Sequence, residues 1–257
     1  MIFITADKVT PEILSLFDIT RPTMPRAFHV LEGVNRGQIL VDDSTRPSWA
    51  VVHEVTYGTL YIGGQMKSSV LESLVRQIRQ VSDVGIGCWL DDPLNHMFPP
   101  KPNYDGRTLY FTERSRSSNA SQSSLPKEYS MVMRDQQLLR LSPDYKSTID
   151  SFGTEENVLQ NTLGVLILHG DELACEAATG ARTQSLIELG VMTAESHRQR
   201  GLAAIACSHL IEMCELLGYK TWWDCAKQNI ASTKLARKLG YHDEREYRYV
   251  WWSRNQA

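Results

Sequence analysis

One stretch of the sequence, 186–218, joins a strand pattern to a helix pattern through a short basic loop. The strand is predicted over Leu186–Met192, and the pattern that follows the loop repeats apolar residues at three- and four-residue steps. These apolar residues are Leu202, Ala206, Leu210, Met213 and Leu217. Gly218 comes after the last turn, where glycine often takes the left-handed conformation that ends a helix. The stretch therefore predicts an α/β unit in which a strand leads into a long amphipathic helix.

The loop before this helix reads Arg198-Gln-Arg-Gly-Leu-Ala203. The first N–H groups of a helix have no partner inside it, and the helix dipole adds partial positive charge there. Gly201 lets the backbone approach a ligand closely, and Arg198 and Arg200 supply two cations. These features predict an anion site, read as a cradle for a diphosphate. The N–H donors of that cradle would be those of Gln199, Arg200, Gly201, Leu202 and Ala203. Alone, R-x-x-G-x-A also fits an ordinary helix start with surface arginines.

A second stretch, Thr221–Tyr241, is read as a short buried strand, a break and another helix that ends at Gly240. The order strand, R-x-x-G-x-A helix, strand, N-x-x-S-x-x-L-A-x-K-L-G-Y helix resembles the GNAT superfamily of N-acetyltransferases, which bind acetyl-CoA. Within that superfamily, the Trp-Asp-Cys run before the second motif is most similar to the group that contains the zwittermicin A resistance acetyltransferase. The resemblance covers roughly Tyr129–Tyr241, and the N-terminal half matches only in outline.

The resemblance implies further contacts with coenzyme A. The strand end Val191-Met192-Thr193 would pair its backbone with the pantetheine arm and donate an N–H to the thioester oxygen. Asn229 occupies the position of an asparagine that meets the cofactor in the family, and Ser232 lies one helical turn later. Asn is also a favoured N-cap residue, so Asn229 is expected to cap the helix as well.

Three residues are candidates for the chemistry. Glu188 is the first choice of general base because it lies in the strand that leads to the loop, among apolar neighbours that would raise its pKa. The alternative is that Glu188 is a solvated strand residue with no catalytic role. Asp224 is the second choice through the Trp-Asp-Cys match, with a structural role at the strand ends as its alternative. Many GNAT enzymes have a tyrosine, as the general acid for the leaving thiolate, at the position where this chain has Ala236. Tyr241 or Tyr247 could take that role instead, and the alternative for each is a packing role in the core.

The first half reads as strand, strand, strand, helix, strand, the same skeleton as the second half. We therefore expect a mixed α/β (α+β) fold: a C-terminal GNAT fold with a mixed, mostly antiparallel sheet flanked by helices, preceded by a degenerate GNAT-like half. The predicted domains are 1–113 (degenerate), a serine-rich linker over 114–127, and 128–257 (catalytic). Strand structure is expected from Phe28 onward, and a continuous helix over Leu138–Phe152.

Composition excludes some classes of protein. The net charge of −3 gives no support for a nucleic-acid partner, and no apolar run is long enough for a membrane span. The first residues lack the pattern of a signal peptide, so a cytoplasmic location is expected. The five cysteines have no C-x-x-C spacing, which predicts free thiols and neither a disulfide framework nor a metal site.

The leading expectation is an acetyl-CoA-dependent N-acetyltransferase that acts on a primary amine of a small molecule. The similarity to the zwittermicin group suggests an amino-bearing natural product or antibiotic and a role in self-resistance. Two alternatives stay open: an acyl-CoA-binding module with little or no catalysis, and an acetyltransferase of protein amines. The sequence specifies neither the acyl chain length nor the oligomeric state.

Overall fold

The computed structural model describes residues 1–115 and 124–255. The chain divides into two compact units, the first formed by Met1–Thr108 with Glu246–Ala257 and the second by Leu109–Arg245. Within the described residues, no helix combines the length and the hydropathy that a membrane crossing requires.

The described strands are, in chain order, β1 (Ile2–Ile4), β2 (Gln38–Val41), β3 (Trp49–Glu54), β4 (Thr59–Gly64), β5 (Val84–Trp89), β6 (Tyr104–Phe111), β7 (Glu113–Arg114), β8 (Ser130–Met133), β9 (Gly164–His169), β10 (Glu172–Arg182), β11 (Leu186–Thr193), β12 (Lys220–Ala226), β13 (Tyr241–His242) and β14 (Arg245–Trp252). The described helices are α1 (Pro11–Leu14), α2 (Met24–Leu31), α3 (Ser68–Ile78), α4 (Gln136–Leu139), α5 (Tyr145–Phe152), α6 (Glu155–Asn161), α7 (Leu202–Leu216) and α8 (Ile230–Lys238).

The second unit is built on a mixed sheet. Strands β8, β9, β10 and β11 pair antiparallel with one another in that order, and β12 pairs parallel with β11. A parallel pair needs a crossover, and here the crossover is α7, which packs against β9, β10 and β11. The core beneath α7 is apolar, and its helix residues include Leu202, Ala206, Cys207 and Leu210, each at most 1% exposed. The predicted helix is confirmed, and Leu202, Ala206 and Leu210 of its predicted apolar face are buried. The prediction was wrong for Leu217, which follows the helix and is 62% exposed.

The same order of elements recurs in the first unit. Strands β2, β3 and β4 form an antiparallel meander, α3 follows, and β5 returns parallel to β4. The predicted fold class, a mixed α/β fold with a large mixed sheet and a duplicated skeleton, is confirmed.

Three features differ from the sequence-based expectation. Residues 28–31, where a strand was expected, belong to α2, because Met24, Ala27 and Leu31 recur at helical steps on a buried face and Pro25 lies in its first turn. The helix expected over 138–152 is split into α4 and α5, since Pro143 cannot continue an α-helix and restricts the residue before it.

The third difference concerns the C terminus. Strand β14 pairs antiparallel with β5, with Tyr247 opposite Trp89 and Trp252 opposite Val84, so residues 246–257 group with the first unit. The domain limits predicted from sequence, 1–113 and 128–257, place this strand in the second domain. Residues 116–123 of the predicted linker lie outside the described residues.

Candidate functional site

Strands β11 and β12 of the second unit are paired over only part of their length. They pair only at Leu186↔Lys220, Ile187↔Thr221 and Glu188↔Trp222. Strand β11 nevertheless continues to Thr193 and β12 to Ala226. Beyond Glu188, one edge of β11 therefore has no strand partner in the described part of the chain, and a gap opens between the two strands.

The backbone direction at this edge follows from the strand's alternation. The Ala194 N–H donates to the Ala174 carbonyl oxygen at 2.9 Å, so the N–H of Ala194 points toward β10. Residues two apart on a strand share that direction, which turns Met192 toward β10 and leaves the N–H groups of Val191 and Thr193 facing the gap. Of the three strand-end residues predicted to meet the cofactor, two therefore present backbone donors to the open edge.

The loop after β11 exposes a row of backbone N–H groups. Gln199 has φ of 62° and Gly201 has φ of 80°, and α7 begins immediately afterwards. The first helical bonds come from the N–H groups of Ala204 and Ile205, which both reach the Gly201 carbonyl. In the described part of the chain, the five N–H groups of residues 199–203 donate to no acceptor.

Space and charge in front of this row fit an anion. A Cβ added to Gly201 would meet no atom within 4 Å, so the approach to the loop is open. Arg198 and Arg200 are both exposed, and the Arg198 Nε–H donates to the Thr193 carbonyl oxygen at 3.3 Å, which ties the loop to the end of β11. Free N–H donors, a helix N-terminus and two arginines together match the donor set that a diphosphate needs.

Helix α8 supplies the next predicted pair of residues. The Asn229 Oδ1 accepts the Ser232 N–H at 3.1 Å, which confirms the expected helix cap. The Ser232 Oγ accepts the Trp223 indole N–H at 3.1 Å, so this hydroxyl holds a buried tryptophan of β12 in place. A contact of either residue with the cofactor stays a prediction.

Two candidate carboxylates share one face of the sheet where the strands part. Glu188 is paired with Trp222, which places both side chains on the same face, and Asp224 follows two residues later on that face. Both carboxylates are half-buried. The Glu188 Oε2 accepts the Ala181 N–H at 3.3 Å, at an irregularity of β10 between Thr179 and Arg182. Glu188 is thus oriented by the backbone of β10.

A third carboxylate on this face is already neutralised. Glu176 is paired with Met192 and forms an ion pair with Arg134 at 3.1 Å, with side-chain exposures of 6% and 5%. Arg134 also donates to the Thr162 hydroxyl. Sequence reasoning missed Arg134, whose only signal is a charge at the end of the alternating strand pattern around β8.

The two tyrosine candidates, Tyr241 and Tyr247, lie in different units. Tyr241 is 2% exposed in the core beneath α7, its hydroxyl donates to the Thr221 Oγ1 at 2.6 Å, and burial raises its pKa. Tyr247 belongs to the first unit, where it packs edge-on against Trp89. Ala236 is fully buried. The structure thus gives Tyr241 and Tyr247 structural surroundings.

The first unit has a corresponding pair of strands with a different environment. Strands β4 and β5 pair at Thr59↔Gly85 and Leu60↔Ile86 only. At the end of β4 the Gly64 N–H donates to the Leu16 carbonyl oxygen at 2.9 Å. The Arg21 guanidinium donates to the Ile62 carbonyl at 2.9 Å. The chain itself therefore satisfies backbone groups at this strand end.

Comparison with known proteins finds relatives among the N-acetyltransferases. A curated relative, the uncharacterized N-acetyltransferase YdfB of Bacillus subtilis (strain 168), is 26% identical over 125 residues, which are 48% of each chain. The chain thus spans about half the length of that curated relative.

Solved structures share the fold over nearly the whole chain. A GCN5-related N-acetyltransferase-like protein from Streptococcus suis 89/1591 superposes with a TM-score of 0.72 at 24% identity, covering 96% of this chain and 100% of that one. A tandem GNAT protein from the clavulanic acid biosynthesis pathway gives a TM-score of 0.64 at 10% identity, with 100% and 99% covered. The family model for GNAT acetyltransferases matches residues 18–250. The chain therefore belongs to the GNAT acetyltransferase family, a family of acyltransferases.

Proposed function

We propose that this protein is an acetyl-CoA-dependent N-acetyltransferase that acetylates a primary amine of a small molecule. The observation that carries the proposal is the row of five N–H groups over residues 199–203, which have no acceptor in the described part of the chain. The row leads from the end of β11 into the first residues of α7. Such a row has a clear physical use, the binding of a diphosphate, and coenzyme A contains one.

The cofactor would be held by groups of two kinds. The N–H groups of 199–203 bind the diphosphate, assisted by Arg198 and Arg200, while the open edge at Val191 and Thr193 binds the pantetheine arm. Asn229 and Ser232, at the start of α8, are the further contacts that we propose for the cofactor. Bound acetyl-CoA supplies the acetyl group in activated form, as a thioester. An N–H of the open edge is the donor that we assign to the thioester oxygen. A preorganised donor of this kind contributes about 100- to 1,000-fold in rate in acyl-transfer enzymes.

The acceptor must lose a proton before it can attack. An alkylamine has a pKa of about 10, so nearly all of it is protonated at neutral pH. Glu188 and Asp224 share the face of the sheet at the parting of the strands. Glu176 is excluded from this role because Arg134 neutralises it. We assign the general base to Glu188, which the Ala181 N–H orients, and keep Asp224 as the second candidate.

Protonation of the leaving thiolate is not assigned to a side chain. Ala236 has no hydroxyl, and the hydroxyl of Tyr241 is bonded to Thr221 in the core. This observation also favours the second candidate function, an acyl-CoA-binding module with little or no catalysis. A good leaving group needs less help from an acid than a poor one, so we keep the enzyme as the first proposal.

The acceptor class rests on the sequence resemblance. The Trp-Asp-Cys run at 223–225 is similar to the zwittermicin A resistance group, so an amine-bearing natural product or antibiotic is the proposed substrate and self-resistance the proposed role. A protein amine is the alternative acceptor. We propose a cytoplasmic location, because all five cysteines are free and buried.

Turnover on an amine panel tests the function. Purified protein is incubated with acetyl-CoA and aminated natural products, polyamines or peptides with free N-termini, and release of free thiol is followed. Thiol release that requires an amine, with acetylated amine found by mass spectrometry, is the expected result. Tight binding of coenzyme A with no turnover on any amine would favour the binding module. Turnover on peptides alone would move the acceptor to protein amines.

A further inference from the structure

Three side chains of the second unit converge next to the diphosphate loop. His169 ends β9, Glu172 begins β10 after a two-residue turn, and His197 ends the short 3-10 turn Glu195–His197 that precedes Arg198. One ligand atom from each of the three lies within 4.8 Å of the other two. Tyr129 packs against both imidazole rings, with ring centroids 5.3 Å and 5.6 Å away.

His197 has a buried nitrogen that the chain leaves without a hydrogen bond. The residue is 6% exposed, and its Nε2 has no hydrogen-bond partner in the described part of the chain. The nearest carboxylate oxygen, Glu172 Oε1, is 3.6 Å away, which is too long for a hydrogen bond. Ring packing explains the position of the imidazole, but it does not satisfy the buried Nε2 atom, and such an atom costs free energy.

We propose that His169, Glu172 and His197 bind a zinc-type divalent cation. Two ligands of a tetrahedral zinc ion, each about 2.0–2.1 Å from the metal, lie roughly 3.3 Å apart, close to the His197–Glu172 separation. Two imidazoles and one carboxylate form a donor set that zinc uses widely. His169 and Glu172 are exposed, so water completes the coordination from the open side.

Tyr129 is the positioning residue of this site. Its phenolic oxygen lies 2.9 Å from the Nδ1 of His197. A cation on Nε2 requires the proton on Nδ1, and that N–H then donates to the tyrosine oxygen. This is the arrangement by which outer partners fix the tautomer of a metal-binding histidine. The cation would join the β9–β10 turn to the segment that leads into the diphosphate loop.

The test uses the full-length protein without an affinity tag, stripped by a chelator and dialysed against zinc chloride. The expected result is one zinc per chain with a rise in Tm, and a visible absorption band of tetrahedral Co²⁺ when cobalt replaces zinc. Mg²⁺, which prefers oxygen ligands, should give no rise in Tm.

Variants at the two exposed ligands, His169 and Glu172, keep the test independent of folding. His169→Gln and Glu172→Gln should each weaken zinc binding at least tenfold, and Tyr129→Phe, which keeps the ring packing, should weaken it about 10- to 100-fold. The matched control is His242→Gln, because His242 is an exposed histidine beside a carboxylate, Asp243, elsewhere in the unit. Less than one zinc per wild-type chain, or equal binding by His169→Gln, Glu172→Gln and the control, would overturn the proposal. Zinc binding is measured without acetyl-CoA, so failure of this proposal is distinguishable from failure of the proposed enzyme function.

Discussion

Replacing Gly201 by aspartate, with asparagine as the matched control, separates charge from shape at the diphosphate loop. Gly201 has φ of 80°, a conformation that Asp and Asn tolerate better than other residues with a side chain, and a Cβ there would meet nothing within 4 Å. Both variants should therefore fold. The carboxylate also lies at the start of α7, where a negative charge stabilises a helix by about 0.3–1 kcal/mol. The aspartate variant should have a Tm at or above that of the asparagine variant.

The affinity for coenzyme A should change in the opposite direction and be lower for the aspartate variant than for the asparagine variant. A carboxylate about 4 Å from one phosphate charge costs about 1 kcal/mol in water and about 4 kcal/mol at the effective dielectric of a protein surface. The loop is exposed, so we expect about 2 kcal/mol, or roughly 30-fold weaker coenzyme A binding by Gly201→Asp than by Gly201→Asn. Isothermal titration calorimetry measures both affinities, and the difference should shrink at 1 M salt, where the Debye length is about 3 Å. Equal affinities of the two variants at low salt would refute the cradle.

Three further predictions concern the chemistry and the core. Glu188→Gln should lower kcat by about 100- to 10,000-fold with little change in coenzyme A affinity, and a wild-type pH–rate profile would remove Glu188 from the mechanism. Tyr241→Phe should lower the free energy of unfolding by about 1 kcal/mol in urea titrations and leave turnover intact; lost turnover in a folded variant would contradict its core role. Burial raises the pKa of Cys175 to about 11 and of Cys214 to about 12, so thiol reagents should modify these cysteines only after unfolding. Rapid labelling of the native chain would count against that burial.

Local patterns predicted α7 and its end well. The helix ends at Leu216, and Gly218, two residues later, has φ of 88°. The N–H of Tyr219 donates to the Cys214 carbonyl, and the N–H of Gly218 donates to the Glu215 carbonyl. These are the two bonds of a glycine-ended helix, and they depend only on residues close in sequence. The free N–H groups at the other end follow from the same local logic.

Features that depend on distant pairing could not be predicted. The strand pattern of 245–252 is visible in the sequence, but its pairing with β5 in the first unit depends on a register that the pattern does not contain. The aromatic character of Tyr241 allowed both a catalytic and a core role, and only its burial beside Thr221 separates them. His169 and His197 are far apart in the sequence, and their spacing matches no metal motif.

The most direct test of the central claim is an amide titration. The ¹⁵N-labelled protein is titrated with coenzyme A, and the backbone amide resonances are followed by NMR. The five N–H groups of residues 199–203 should shift together and saturate at one equivalent, along with those of Val191 and Thr193 at the open edge of β11. Saturating coenzyme A that leaves these amides unshifted would contradict the assignment of this loop as the diphosphate site.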